Sequence, residues 1–377
     1  MVLEKGKPTT YPVLYTFWRK KGRKRFTYDS TLEEVTKATV RLNFVAESVD
    51  PSDPTSPWLT AHPKAIKAVR KVLGKSDYVA HEGVNTGGAN AVYWVNIVLK
   101  RPDGLVVVRN ITEGAKVKVD EVTEPIEPDL LYPLLRGRDV QRWKAEPSAW
   151  ILITHLPGMG LKAIPEKEMQ TDYPCTYGYL KRFEEVLRKR AAFKRYFTRK
   201  DKNNRIVETG PFYSMFGIGP YTFAPWKVVW REQASTMTAS VVSPKDGKPV
   251  MPDHKLMLVD CTSEDEACFV CACLNSSVGQ MVAVSYAVEI QMTPHILEHI
   301  RIPRFDPGNP VHGRLAELSK EAHAAAARGD AQGLRAIEAE IDQQAAQVWG
   351  LSAAELRAVQ ESLSELSGEV EAVGLEE

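Results

Sequence analysis

The stretch Gly83-Val84-Asn85-Thr86-Gly87-Gly88-Ala89-Asn90-Ala91-Val92-Tyr93-Trp94-Val95 decides how the rest of the chain is read. A glycine-rich, Asn-flanked loop runs directly into a β-branched and aromatic segment, residues 92–99, with the composition of a strand. Gly87 and Gly88 can take positive φ or admit a second backbone at close range, and a Cβ permits neither without cost. A phosphate-binding loop of the P-loop kind would end in Gly-Lys-Ser/Thr and open a helix. This loop has no lysine and leads into a strand. A structural turn is the favoured reading, with Asn85, Gly87, Gly88 and Asn90 as its framework.

With 377 residues the chain has room for two domains, or one domain with extensions. No apolar run approaches the roughly 20 residues of a membrane helix. The first twelve residues lack the apolar core of a signal peptide. Five cysteines, odd in number and unevenly spread, fit a reducing cytoplasm rather than a disulfide framework. The net charge of +1 conceals a strong asymmetry. Arg19-Lys20-Lys21-Gly22-Arg23-Lys24-Arg25 is one basic cluster; residues 181–205 hold eleven Lys/Arg against Glu184, Glu185 and Asp201. From Arg314 onward the chain is acidic, which fits one anion-facing surface and a separate acidic module.

Residues 1–75 read as a connector. A short strand is expected at 13–18, then a helix capped by Ser30 with Glu33 completing a capping box. The prolines of residues 50–57 exclude regular structure, and a short amphipathic helix follows at 63–73. This region is too broken to bury a core of its own, so it should pack on something else. Residues 76–306 are mixed α and β, with strands expected at 92–99, 105–109, 150–154, 227–230 and 255–259. Arg101-Pro102-Asp103-Gly104 should turn the first two into a hairpin. Residues 176–197 read as one long helix with Leu180, Phe183, Leu187 and Ala191 on its apolar face. Lys181, Arg188 and Arg195 recur every seven residues on another face, beside Arg182 and Lys189. That stripe is either a binding surface or a solvated face, since Glu184–Arg188 and Glu185–Lys189 are favourable i,i+4 pairs. Residues 307–377 form a helical tail broken at Gly329-Asp330 and again at Gly350, with a capping box at Ser352–Glu355 and fraying at the end.

Catalytic constellations are not visible. Cys261, Cys268, Cys271 and Cys273 lack a second Cys-x-x-Cys pair and sit in an apolar run, which is the pattern of buried cysteines. His295 and His299 have helical spacing but no accompanying zincin glutamate. Asp246-Gly247-Lys248 is a weak metal-nuclease signal, without a Pro-Asp at the required position. Phe216-Gly217-Ile218-Gly219 superficially matches an S-adenosylmethionine loop, yet loop and strand follow it instead of a helix. Two adjacent prolines occur nowhere, so an Asn/Asp-Pro-Pro-aromatic motif is excluded.

Six stretches nevertheless follow a recognisable order. They are Gly83-Val84-Asn85-Thr86-Gly87 with Asn90; Leu135-Arg136-Gly137-Arg138-Asp139-Val140-Gln141-Arg142-Trp143; Tyr173-Pro174 before Tyr179-Leu180-Lys181-Arg182-Phe183; Lys227-Val228-Val229-Trp230-Arg231; Leu274-Asn275-Ser276-Ser277; and Ile300-Arg301-Ile302-Pro303. Together, over residues 76–306, they resemble the C-terminal target-recognition region of N6-adenine DNA methyltransferases. The nearest group is the TaqI-like specificity domain of Type IIG restriction–modification and BREX-type phage-defence methyltransferases.

The resemblance implies an α+β fold: a mixed β-sheet target-recognition domain with a long basic helix, followed by a C-terminal α-helical tail. Residues 1–75 would dock on a catalytic methyltransferase chain, because the glycine-rich cofactor loop and Asn-Pro-Pro-Tyr of family members are absent here. The implied function is a cytoplasmic DNA specificity subunit, with no cofactor of its own and S-adenosylmethionine held by the partner. Its partners would be double-stranded DNA, the catalytic chain and other restriction or defence subunits. Lys181, Arg182, Arg188, Lys189 and Arg195 would contact phosphates. Arg136, Arg138, Arg142 and Arg231 would lie nearer bases or backbone, with Asp139 able to pair with Arg142. The alternative is a scaffold on the same fold that does not bind DNA.

Overall fold

The structure, a computed structural model, describes residues 8–367 except 23–24, 51, 54, 57, 161 and 287–291. Arg23 and Lys24 of the first basic cluster, three prolines of residues 50–57 and the last ten residues, expected to fray, lie outside the described residues. The fold is mixed α and β with mixed sheets and a helical C-terminal tail, as expected. Two compact units are present.

One unit comprises Val79–Glu232 and Thr238–Cys271. Its larger sheet has six strands in the order Met251–Pro252, Leu131–Leu135, Ala149–Leu152, Trp94–Lys100, Val106–Asn110, Thr123–Ile126. The first pair is parallel and the others are antiparallel. The hairpin anticipated across Arg101–Gly104 is present, with Gly104 at φ 90°. Its entry differs from the expectation: Asn90–Tyr93 make one helical turn, so the strand starts at Trp94. That turn sends Tyr93 inward, where its hydroxyl donates to the Tyr213 carbonyl at 2.9 Å. Tyr179 donates likewise to Val92 O (2.6 Å) and Tyr213 to Ile164 O (2.8 Å). Three large rings thus enter the core with every hydroxyl satisfied.

A second sheet is wholly antiparallel, in the order Ser240–Val242, Trp226–Arg231, Leu256–Cys261, His81–Glu82. The loop quoted above therefore connects a strand of one sheet to a strand of the other. Between them Val84 bridges Asp253 in parallel and Asn85 bridges Phe216 antiparallel, with both Asn85–Phe216 backbone bonds at 2.9 Å. The close backbone approach falls at Gly83: a Cβ there would lie 2.2 Å from Asp253 O and 2.5 Å from Pro252 O. Gly87 and Gly88 supply the positive φ, 67° and 89°.

The single long helix expected over 176–197 is not formed. Three short helices replace it: Pro174–Arg182, Glu184–Lys189 and Ala191–Tyr196. Arg190 has extended backbone (φ −54°, ψ 131°), and its buried side chain turns inward to carbonyls remote in sequence. Apolar spacing carries no information about those partners. The basic stripe is accordingly divided among three helices.

The other unit comprises Met1–Tyr78, Gln233–Met237 and Ala272–Glu377. Val13–Lys20 pairs along its full length with Thr39–Ser48, a strand the sequence reading did not anticipate, and Trp58–Ala61 completes the sheet. The capping box sits one residue later than expected, at Thr31 and Glu34, because the Ser30 hydroxyl is taken by Thr27 N at 2.9 Å. Pro63–Val72 buries Ala65, Ile66, Val69 and Val72. It is tied to Ala353–Ser367 through Lys71 and Glu355 (2.8 Å) and through His62 N and the Ser362 hydroxyl (3.0 Å). The tail helices Pro310–Arg328 and Ala331–Val348 are separated by Gly329 at φ 70°, and the capping box at Ser352–Glu355 is present.

Gly83→Ala should cost about 3 kcal/mol, because the Pro252 carbonyl accepts from Val84 N and the Asp253 carbonyl from Leu256 N, and neither can retreat without losing that bond. Gly88→Ala, with open space around its Cβ, should cost only about 1 kcal/mol of left-handed strain. Urea unfolding of the two variants checks this; equal losses would show that Gly83 is not a backbone crossing point.

Candidate nucleic-acid interface

The loop, the helix junction and residues 212–216 converge on Arg190, which is 5% exposed. Its guanidinium donates to Thr86 O (2.8 Å) and Phe212 O (2.6 Å), and its Nε to Leu187 O (2.9 Å). The rings of Tyr93, Phe193 and Phe216 lie 5.6–5.9 Å from it. Gly87 is packed against the same group, since a Cβ there would lie 3.3 Å from Arg190 Cδ and 3.0 Å from the Phe216 ring. Asn85 Oδ1 accepts from Gly87 N (2.8 Å), and Thr86 and Asn90 share a 2.5 Å side-chain bond, which holds the loop in place.

The sequence-predicted cations fall into two groups. Lys181 pairs with Glu184 (2.6 Å), Arg182 with Glu124 (2.6 Å), Arg188 with Glu184 (2.7 Å) and Glu208, and Lys189 with Glu185. Arg136 is buried, donating to Asp139 and to the Ser148 hydroxyl (2.6 Å). Asp139 thus pairs with Arg136, and Arg142 is half-buried beside the Trp143 ring. Arg138, Arg195 and Arg231 are exposed. Arg136 and Arg138 meet at one cleft, and Lys181 and Arg188 meet over Glu184 and the Phe212 ring.

Exposed positive charge is concentrated at the end of the stripe and just beyond it. Lys194 and Arg195 end the third helix, and Arg199, Lys200, Lys202 and Arg205 occupy the hairpin Thr198–Lys200/Ile206–Glu208. All six are exposed, and none forms an ion pair among the described residues. Asp201 is turned to the hairpin's own backbone, accepting from Asn203 N and Arg205 N at 2.8 Å. The sequence carries a signal for this set: past Arg190, residues up to 205 include Asp201 as their one acidic side chain. For Arg190 there is no local signal.

An aromatic cleft of about 520 Å³ opens at the root of this hairpin, with Tyr196, Phe197 and Phe216 among its walls and Glu82 and Asn85 as polar groups. The hairpin is closed at Phe197, whose carbonyl accepts from Thr209 N at 2.8 Å. The other cleft, about 370 Å³, includes Trp94, Arg136, Arg138, Asp253 and Lys255. Burial lifts the Asp253 carboxyl to about 6, opposed by its bond from Lys255 N, while Asp139 adds to the rise.

Other chemistry has no support in the geometry. Cys261, Cys268, Cys271 and Cys273 are buried and form no disulfide, and burial raises the pKa of the Cys273 thiol. Among the described residues no group of three or more His, Cys, Asp or Glu is placed to hold a metal ion. His295 bonds Glu298 at 2.9 Å. Asp246-Gly247 form a tight turn with φ 52° and 75°, in the manner of a type I′ hairpin. The Lys248 amine donates to Pro128, Asp129 and Leu131 carbonyls at 2.6–3.0 Å, a structural assignment. Gly217 is consumed by a backbone crossing, its Cβ position 2.9 Å from Gly83 O, and a 3-10 turn follows at Pro220–Phe223. Among the described residues no single helix is long and apolar enough to cross a membrane.

No family model matches the sequence. Over 156 residues, 41% of this chain and 29% of the relative, it is 28% identical to Type II methyltransferase M.NspV of Nostoc sp. (strain ATCC 29411 / PCC 7524). Among solved structures it resembles Type IIL restriction-modification enzyme MmeI, determined in complex with DNA. The TM-score is 0.43 at 10% identity, over 79% of this chain and 37% of that one. The chain therefore spans well under half the length of either protein.

Two variants check the framework. Arg190→Met leaves three carbonyls short of a buried donor and should cost about 3 kcal/mol in urea unfolding. Asp253 binds a proton more tightly folded than unfolded, so its contribution to stability declines as pH rises from about 4 to about 6. Asp253→Asn should thus gain on the parent by up to about 3 kcal/mol between pH 4 and pH 7. A pH-independent difference would show that this carboxyl does not titrate as described.

Proposed function

We propose that this chain is the DNA sequence-recognition subunit of a split N6-adenine DNA methyltransferase or restriction/phage-defence complex. It grips duplex DNA and presents the target adenine to a separate catalytic subunit that holds S-adenosylmethionine. The observation that carries the reading is the set of six exposed, unpaired cations on helix Ala191–Tyr196 and the adjoining hairpin. Lys and Arg so placed neutralise phosphates and release their counterions. A two-stranded ribbon of this size also fits the major groove of B-DNA. Arg138 and Arg231, exposed on the same unit, are the further candidates for base or backbone contacts.

The similarity to a Type II methyltransferase supports the same reading. Docking of the catalytic part is proposed at residues 1–75. There Val13–Lys20 is the edge strand of its sheet and exposes Leu14, Tyr15 and Trp18. An edge strand with exposed apolar side chains is a ready template for a second chain.

Relative to the sequence-based assignment, the proposal moves the main phosphate contacts from Lys181, Arg182, Arg188 and Lys189, which are ion-paired, to Lys194–Arg205. Binding to a mixed-sequence duplex should weaken steeply with salt. Arg195→Ala, Arg199→Ala and Lys202→Ala should together reduce the slope of log K against log salt by about 0.9 per residue. Arg188→Ala should leave the slope nearly unchanged. Tight co-purification of a partner with no DNA binding by the complex would instead favour a scaffold.

A further inference from the structure

We infer that the aromatic cleft at the root of the basic hairpin is a binding site for a single unstacked nucleobase. The inference rests on the proposed DNA-binding role and adds a base-binding site to it.

Three features of the cleft argue together. First, its walls are rings: Tyr196 and Phe216 lie 5.8 Å apart at 57°, and Phe197 lies 5.4 Å from Phe216. They form a corner rather than a parallel slot, so a base stacks on one ring and takes another against its edge. Every base offers a π-face to such a platform. Tyr196 is 60% exposed, a large ring left open to solvent directly after Lys194 and Arg195.

Second, the polar groups are few and suited to a base edge. Asn85 Oδ1 accepts from Gly87 N and its amide donates one hydrogen to Glu82 Oε1 at 3.4 Å, which leaves the second amide hydrogen to donate and the other Glu82 oxygen to accept. A carboxylate that accepts beside an amide that donates matches the mixed donor–acceptor edge of a base. Third, the charge at the rim is complementary to a backbone. The Arg195 guanidinium lies 5.2 Å from the Tyr196 ring centroid, and Arg199 is the second residue of the hairpin strand that starts one residue after Phe197. A phosphodiester chain held by these cations brings its bases past the mouth of the cleft.

The cleft is also built rather than incidental. Its floor is the Asn85–Phe216 backbone pair, and beneath it Gly87 and Arg190 are in direct contact with the Phe216 ring or close to it. The ring that receives the base is therefore fixed from behind by the same buried guanidinium that closes the loop. Such preorganisation reduces the cost of ordering the site on binding.

The test compares a mixed-sequence duplex with the same duplex carrying one bulged, unpaired nucleotide, by fluorescence anisotropy at fixed salt with the full chain. A bulged base is already unstacked, so it should bind about tenfold more tightly. Tyr196→Ala should bring that ratio to about one, and Tyr196→Phe should retain it. Glu82→Ala should alter the order of preference among the four bulged bases. Equal affinity for both duplexes, with steep salt dependence intact, overturns the base site while leaving the DNA-binding role standing. Failure to bind either duplex overturns both. A bulge preference untouched by Tyr196→Ala places the bulge elsewhere and overturns the inference. So does loss of a co-purifying protein partner as the one effect of that variant, which would make the cleft a protein-docking site.

Discussion

Burial of the Arg190 guanidinium is the constraint on which the recognition unit depends. A charged group with 5% exposure is tolerated only if its donors are used, and three of its bonds go to carbonyls from separate segments. One belongs to the glycine loop, one to the preceding helix and one to the segment leading to Phe216. Hydrogen bonds from a charged donor contribute about 1.5–3 kcal/mol each. Backbone continuity of the helix is given up at this point in exchange. The chain bends there because the side chain is needed inside, and the bend sets the direction in which the third helix and its hairpin leave the core.

This arrangement separates two kinds of positive charge. Before Arg190 the cations sit within reach of Glu184, Glu185, Glu124 and Glu208, and their fields are largely cancelled locally. Exposed pairs of this sort contribute little to stability, but they do lower the charge available to an anionic ligand. Beyond Arg190 the cations project from a short helix and a hairpin without an ion-pair partner among the described residues. The local field therefore rises toward the aromatic cleft, which lies where the hairpin begins. Charge and stacking surface meet at one place, as single-stranded or extruded nucleotides require.

The glycines of the opening stretch divide their work by position. Gly83 is needed because two carbonyls cross its Cβ site at 2.2 and 2.5 Å, and Gly87 because φ is 67° with Phe216 and Arg190 against it. Gly88 meets nothing, and glycine there serves the turn alone. Sequence reasoning singled out Gly87 and Gly88 and named close backbone approach as one use for such residues. It had no means of assigning that use to Gly83, because the crossing strand comes from residues 252–253.

What the sequence by itself determined was local: the 92–109 hairpin with its Pro-Asp-Gly turn, the strands near 150, 227 and 256, the helix at 63–72, the capped tail helices and the apolar burial of the cysteines. Those features follow from periodicity, turn chemistry and caps, which act within a few residues. The mixed α and β content and the basic bias of residues 181–205 were legible for the same reason. Tertiary structure alone decided which cations are neutralised, since Glu124 and Glu208 reach Arg182 and Arg188 from other segments. It also decided that the long helix breaks at Arg190 and that Asp139 pairs with the buried Arg136. Each of these outcomes turns on a partner more than a helical turn away or on a choice between equivalent neighbours. Such choices are settled by packing and by the cost of burying charge, and neither is written in the local pattern.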